Sequence, residues 1–380
     1  MSLLFHPRQA GYISERSGCR DVDALARRVL ECGFDPAEYT AAHGDPGPNA
    51  ALAHFLSEGH ASDHDLLFHP MPVGVAAFAD LDIPNRGYAN SLFRAMFFGQ
   101  LTHEATSPYL WSGVGRDLIQ RIRDHGGLPF MIIGDSHLDH YVRRAWAYGG
   151  WFAPLPLPCP GATAAGLAIQ KDGFGAGVKI MEWAARSGAL ADVPLLPVLL
   201  KFGGIDTDVA WVRRRITAGQ TRFSWDQFHD HAQETVARYS RFLDQLSGLV
   251  HPESPRVCSV CPTGLTDEKW IKAFIRLHTN ASPFDVQVVT QIHRYEVPGM
   301  RVRNQLRAHF NDLLRGMCDS RGIAFVDDFS PFVDADCMTE ERFLPPGDRL
   351  DHHLDFRRSE AGFVNNLRIH AGALKARLMA

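Results

Sequence analysis

The sequence predicts an α/β fold in which helices cover both faces of a mostly parallel sheet. Beyond residue 114, short apolar runs alternate with segments that carry apolar residues every three or four positions, which is typical of such folds. We predict strands at 129–133, 195–202, 256–260, 286–292 and 322–326. We predict helices at 117–123, 178–185, 229–246 and 301–318. Together these segments favour a three-layer α/β/α sandwich over residues 114–380.

Two further regions precede this domain. Residues 1–60 show helical spacing, with Val22, Leu25 and Val29 on one side of a segment that Gly33 ends. We expect a small helical module there. Residues 61–113 are rich in His, Pro and Asn, apart from a helix predicted near 88–101, and we expect a connector packed on the main domain.

Composition narrows the range of functions. The 380 residues are 45% hydrophobic and 22% charged, with a net charge of −4, so the basic excess typical of nucleic-acid binding is absent. The start shows no signal-peptide pattern, and no apolar run approaches the about 20 residues that span a bilayer. Seven cysteines in irregular spacing favour reduced thiols. We therefore expect a cytoplasmic protein with no membrane span and no nucleic-acid partner.

Ser136 is the strongest candidate for a chemical role. It follows the apolar run 130–133 through Gly134 and Asp135, and a helix is predicted after it, through Tyr141 to Trp146. Ligands of parallel sheets gather where strands end and helices begin. A nucleophilic serine needs a base and a group that orients the base. Four residues near the end of the chain are candidates for those roles: Asp348, Asp351, His352 and His353.

Four short blocks occur in a recognisable order. They are Gly134-Asp135-Ser136, the segment 161–167, Phe202-Gly203-Gly204-Ile205-Asp206, and His352-His353-Leu354-Asp355. This order resembles the SGNH (GDSL-like) hydrolase superfamily, which has a flavodoxin-like α/β/α fold. The resemblance covers roughly residue 113 to the end of the chain, and its specificity lies in the ordered combination of blocks.

The resemblance implies roles for individual residues. Ser136 would be the nucleophile and His353 the general base, with Asp351 or Asp348 orienting it; His352 is the alternative base. The backbone N–H groups of Ser136 and Gly161 would bind the oxyanion. Three further residues are expected to contribute to the oxyanion or substrate site: Gly203, Asp206 and His137.

Two departures from the family pattern bear on catalysis. Ile205 stands where the third block has asparagine, so one side-chain donor to the oxyanion hole is missing. Leu350, three residues before His353, stands where the last block has aspartate. Removing one oxyanion donor costs on the order of 10²–10³ in rate. Catalysis could therefore be slow, or lost.

The N-terminal region suggests the substrate class. Two strings, 34–39 and 51–59, resemble a short helical module that accompanies carbohydrate-active proteins of bacterial polysaccharide synthesis. The function expected is a serine-dependent carbohydrate O-acyl esterase or O-acyltransferase that acts through an acyl-enzyme. Polysaccharide-synthesis enzymes are candidate partners. The alternative is a non-catalytic SGNH-like module that binds a glycan or such an enzyme.

Other interpretations of these residues were weighed. Ser136 could cap the helix after it. The histidines His137, His140, His352 and His353 could in principle form a metal site, but no HExxH pattern is present and a serine site already explains them. We therefore predict no metal and no cofactor. The CxxC pair Cys258 and Cys261 lacks a second pair nearby, and the glycine-rich run 173–177 lacks the P-loop ending.

Overall fold

The computed structural model describes most of the main domain and parts of the preceding regions. The residues described are 4–31, 34–43, 48–58, 83–85, 88–89, 92, 123, 127–142, 145–147, 150–169, 175–186, 196–278, 292–347, 350–356 and 358–370. Asp348, the predicted helix at 117–122, most of the connector and the predicted strand at 286–291 lie outside them.

A six-stranded sheet lies at the centre of the domain. Its strands are β1 (Gly127–Gly134), β2 (Ala145–Ala147), β3 (Gly150–Pro158), β4 (Val198–Lys201), β5 (Pro255–Cys258) and β6 (Ala324–Val326). The order is β2-β3-β1-β4-β5-β6, in which five strands are parallel and β2 alone is antiparallel, paired with β3. The prediction of an α/β fold with a mostly parallel sheet is confirmed.

Ten α-helices belong to the described residues. They are α1 (Pro7–Ser17), α2 (Val22–Glu31), α3 (Pro36–His43), α4 (Pro48–Ser57), α5 (Ala176–Arg186), α6 (Trp211–Thr217), α7 (Trp225–Ser247), α8 (Asp267–His278), α9 (Met300–Arg321) and α10 (Glu360–His370). The helices predicted at 178–185, 229–246 and 301–318 correspond to α5, α7 and α9. Among the residues described, no helix is both long and apolar enough to cross a membrane.

Two local predictions are wrong. The helix expected from Ser136 through Trp146 is a short 3₁₀ helix, Ser136–Tyr141, followed by strand β2. Trp146 instead pairs with Trp151 in an antiparallel ladder, whose interstrand hydrogen bonds a continued helix could not make. Ile292, predicted to end a strand, begins the 3₁₀ helix Ile292–Arg294.

Strand β3 was not predicted because it contains three prolines, which usually argue against a central strand. Pro154, Pro156 and Pro158 alternate along it, so all three missing N–H groups face the same edge. The N–H of Cys159, an odd-numbered residue, points toward β1 and donates to the Gly134 carbonyl at 2.7 Å. The even-numbered prolines therefore lie on the edge that faces away from β1. β2 pairs only with residues 150–152. Among the described residues, the prolines therefore remove no hydrogen bond that the sheet makes.

Strand β1 shows how both faces of the sheet are buried. Met131 and Ile133 belong to a core shared with helices α5, α7 and α9. Phe130 and Ile132 point to the other face, into a core with the 3₁₀ helix and α10. This alternation follows from the two-residue period of a strand. It explains why the strand reads as an unbroken apolar run.

The four N-terminal helices share one core with four residues of the connector, namely Ile83, Tyr88, Ala89 and Leu92. Phe34 stacks on Phe55 with ring centroids 4.7 Å apart, and Tyr39 packs beside both. The Tyr39 hydroxyl lies 2.6 Å from Nδ1 of His54. The residues that suggested a carbohydrate-associated module thus serve the packing of this cluster.

A buried ion pair lies where strands β4 and β6 end. Nζ of Lys201 is 2.6 Å from Oδ2 of Asp328, and both side chains are almost fully buried. Lys201 also donates to the Ser259 carbonyl at 2.5 Å, while Tyr141 and Asn366 donate to Oδ1 of Asp328. Burial alone would lower the pKa of Lys201, but the charge of Asp328 raises it above its ordinary value. The pair therefore ties together the ends of two strands and the 3₁₀ helix that begins at Ser136.

We expect Asp328→Asn to lower the free energy of unfolding by about 3–5 kcal/mol, because it leaves the Lys201 ammonium buried without its counter-charge. Guanidinium denaturation measures the loss. The control is Asp244→Asn, which breaks an exposed ion pair with Arg321 and should cost under about 1 kcal/mol. Equal losses of unfolding free energy in the two variants would show that the buried ion pair stabilises the fold no more than the exposed one.

Candidate active site

The site lies at the carboxyl edge of the parallel strands. Ser136 follows β1, Gly161 follows β3, Gly204 follows β4 and Gly264 follows β5. The turn at 351–355 completes the site from the C-terminal part of the chain. Parallel strands bring the loops at their carboxyl ends to one edge, so segments far apart in sequence meet there.

Ser136, His353 and Asp351 form a hydrogen-bonded chain. Oγ of Ser136 is 3.0 Å from Nε2 of His353, and Nδ1 of His353 is 2.7 Å from Oδ1 of Asp351. The same aspartate oxygen accepts the backbone N–H of His353 at 3.0 Å. This is the order of a nucleophile, a base and a carboxylate that fixes the tautomer of the base.

His352, the alternative base, also reaches the serine. Its Nε2 lies 3.4 Å from Oγ of Ser136, longer than the His353 distance. Among the described residues, the carboxylate contact is made by His353, through Asp351. Distance and orientation therefore both favour His353 as the base. Asp348 lies outside the described residues, so its role stays a prediction.

The electrostatic environment keeps both imidazoles neutral and the aspartate ionised at pH 7. Burial lowers the pKa of His353, although Asp351 opposes the shift. Burial and the neighbouring His353 lower the pKa of His352 to about 3. Burial raises the pKa of Asp351, but the hydrogen bonds from the ring and the backbone N–H of His353 outweigh it and hold that pKa well below its usual range. A neutral His353 can accept the proton of Ser136.

Asp135 and His137 form a second carboxylate–imidazole pair beside the serine. Oδ1 of Asp135 accepts the backbone N–H of His137 and lies 2.9 Å from Nδ1 of its ring. Asp135 is thus the residue that caps the 3₁₀ helix, and Ser136 is its first residue. The capping interpretation of Ser136 is replaced by a cap from its neighbour. Sequence reasoning missed this pair, although the Asp-Ser-His spacing could have indicated it.

Gly203 and Gly204 of the third block pack closely against side chains at the site and in the core next to it. A Cβ on Gly203 would come within 2.7 Å of Phe310, and one on Gly204 within 2.9 Å of His137. Asp206 is buried, and its carboxylate accepts the backbone N–H groups of Ala164 and Ala165 at 2.7 and 3.1 Å.

Burial raises the pKa of Asp206 to about 6, against the opposing effect of those two hydrogen bonds. The structure therefore brings Gly203 and Asp206 to this edge of the sheet as packing and loop-holding groups. A contact of either residue with substrate stays a prediction.

Gly161 lies in the loop that Asp206 holds. Its φ of +74° is in the left-handed region, which glycine adopts without strain. The loop continues from β3, whose last residue pairs with Gly134 of β1. Gly161 is therefore next to the strand that leads to Ser136, as the second block implies. Its donation to an oxyanion stays a prediction.

The turn at 351–355, which carries His352 and His353, is held in place by packing and by a backbone hydrogen bond. Leu354 is buried in the core beneath the 3₁₀ helix, and the N–H of Asp355 donates to the Phe343 carbonyl at 2.8 Å. Gly264 lies against the turn so closely that a Cβ there would be 2.1 Å from the His353 carbonyl oxygen. Sequence reasoning missed Gly264, and its position after a predicted strand was the only signal.

The chain was also compared with known proteins. No protein-family model matches it, and no curated protein matches its sequence.

We expect Gly264→Ala to displace the turn that carries His353 and to slow covalent modification of Ser136 at least tenfold, because a 2.1 Å contact cannot be accommodated without movement. Modification by a fluorophosphonate measures the rate, and circular dichroism measures folding. The control is Gly316→Ala within α9, where nothing lies within 4 Å of the added carbon. A rate that Gly264→Ala leaves unchanged would show that His353 is not held by this contact.

Proposed function

We propose that the protein is a serine esterase or acyltransferase of SGNH type, with a three-layer α/β/α domain, that acts on an O-acylated carbohydrate. The observation that carries the proposal is the hydrogen-bonded chain from Ser136 through His353 to Asp351. The three residues come from segments more than 200 positions apart in the sequence, and they meet in the order that acyl transfer requires.

The reaction would proceed through an acyl-enzyme. Oγ of Ser136 attacks the ester carbonyl carbon while its proton passes to Nε2 of His353. Asp351 accepts the Nδ1–H of His353 and stabilises the imidazolium. The tetrahedral oxyanion collapses, the sugar oxygen leaves with the proton from His353, and the acyl group stays on Ser136. Water or a second hydroxyl then attacks the acyl-enzyme with His353 again as base, the acyl–Oγ bond breaks, and Oγ of Ser136 takes back the proton from His353.

Backbone groups would bind the oxyanion. The N–H groups of Ser136 and Gly161 are the donors that the family resemblance implies. Ile205 supplies no side-chain donor, so the expected rate is on the order of 10²–10³ below that of a site with a third donor.

The carbohydrate assignment rests on the resemblance of residues 34–59 to a module of polysaccharide synthesis. It predicts that an O-acetylated oligosaccharide is turned over faster than a simple alkyl ester of the same acid. Acetate release, or acetyl transfer to an added sugar, distinguishes hydrolysis from transfer.

Ile205 favours a second candidate function, a non-catalytic glycan-binding module of the same fold. In that case the triad would persist as a structural remnant, and Ser136 would not react as a nucleophile. Covalent modification of Ser136 separates the two functions.

We expect a fluorophosphonate to modify the wild-type protein once, at Ser136, as measured by intact mass and peptide mapping. Ser136→Ala should abolish the adduct. His353→Gln should slow its formation by about 10³-fold or more, because the serine loses its base. The matched variant His352→Gln should cost far less, since the carboxylate that orients the base belongs to His353.

Two results would contradict the proposal. Well-folded wild-type protein that forms no adduct would favour the non-catalytic module. If His352→Gln slowed adduct formation more than His353→Gln does, the base would be His352 and not His353.

A further inference from the structure

Three imidazoles meet beside Ser136. One potential ligand nitrogen from each of His137, His352 and His353 lies within 4.8 Å of the other two. Their ring centroids are 4.0–5.1 Å apart. His140, the fourth histidine of the sequence-based metal hypothesis, is stacked on Phe363 at 4.4 Å. The structure thus selects three of the four histidines.

Aspartates orient two of these rings in the manner of metal-ligating histidines. Oδ1 of Asp135 is 2.9 Å from Nδ1 of His137, and Oδ1 of Asp351 is 2.7 Å from Nδ1 of His353. A carboxylate on Nδ1 fixes the proton there and leaves the Nε2 lone pair for a metal. Nε2 of His353 and of His352 both lie within 3.4 Å of Ser136 Oγ. The two Nε2 atoms therefore face one place; His353 presents its lone pair there, and His352 does so in the tautomer that carries its proton on Nδ1.

We propose that His137, His352 and His353 bind one Zn²⁺ ion, and that the bound ion and a reactive Ser136 exclude each other. Each neutral imidazole donates one nitrogen lone pair to the ion, so no proton is released from the rings. The hydrogen bond between Ser136 and His353 breaks, because the lone pair that accepts the serine proton is then bound to zinc. Binding itself does not depend on the proposed function; the effect on Ser136 rests on it.

The nitrogen ligands decide which cation the site selects. Three imidazoles suit Zn²⁺, whereas Mg²⁺ and Ca²⁺ prefer oxygen ligands. Nitrogens around a tetrahedral zinc at about 2.0–2.1 Å lie about 3.4 Å from one another. Binding therefore draws the three rings together, and water can take the fourth position.

Isothermal titration of the metal-free protein with ZnCl₂ tests the site. We expect one equivalent to bind, with affinity at least tenfold weaker in His137→Gln. His251→Gln, which removes an exposed histidine outside the cluster, should leave the affinity unchanged, and MgCl₂ should give no binding. Circular dichroism checks folding, and His352→Gln replaces His137→Gln if that variant does not fold. Absence of a one-equivalent site, or an affinity that neither cluster variant weakens, would overturn the proposal.

Fluorophosphonate modification of Ser136 tests the exclusion. One equivalent of Zn²⁺ should slow adduct formation at least tenfold, EDTA should restore it, and Mg²⁺ should have no effect. An unchanged or faster rate with zinc bound would overturn the exclusion. If the metal-free protein forms no adduct at all, the proposed esterase function fails, while the titration still decides whether the three-histidine site exists.

Discussion

The contact on which the site depends is the pairing of β1 with β4, which sets where Ser136 emerges from the sheet. A Cβ at Gly134 would lie 2.4 Å from the Lys201 carbonyl oxygen, so only glycine permits this approach. The N–H of Asp135 donates to the same carbonyl at 3.1 Å. The chain therefore leaves β1 at a fixed point and turns at once into the 3₁₀ helix. Lys201 and Asp328 hold the far side of that turn.

Two aspartate–histidine pairs then share one small space. Asp351 and His353 form the pair that is proposed to accept the proton of Ser136, and Asp135 with His137 repeats the same carboxylate–imidazole contact on the serine's own loop. Such a pair suits a general base and a metal ligand equally, since both need an oriented Nε2 lone pair. This shared requirement links the proposed acyl transfer to the proposed zinc site.

The sequence predicted the parallel sheet because its buried strands are apolar runs bounded by helical segments. It failed at β3, where alternating prolines are tolerated only because their side of the strand is largely unpaired. It placed Ser136 at a strand end by local pattern and favoured His353 as the base, but spacing alone could not decide between the pairs Asp351–His353 and Asp348–His352. That choice depends on the packing of Leu354 and Gly264, which are contacts between distant segments that no local pattern encodes.

The tautomer of His353 tests the central claim most directly. In ¹⁵N NMR spectra, with the resonances of His353 assigned by His353→Gln, we predict a proton on Nδ1 and an unprotonated Nε2 at pH 7.5. Because burial lowers the pKa of this ring, that neutral form should persist as the pH falls to 6.5, the ordinary midpoint of a histidine. A proton on Nε2, or a ring already half protonated at or above pH 6.5, would contradict the account of His353 as the base that serves Ser136.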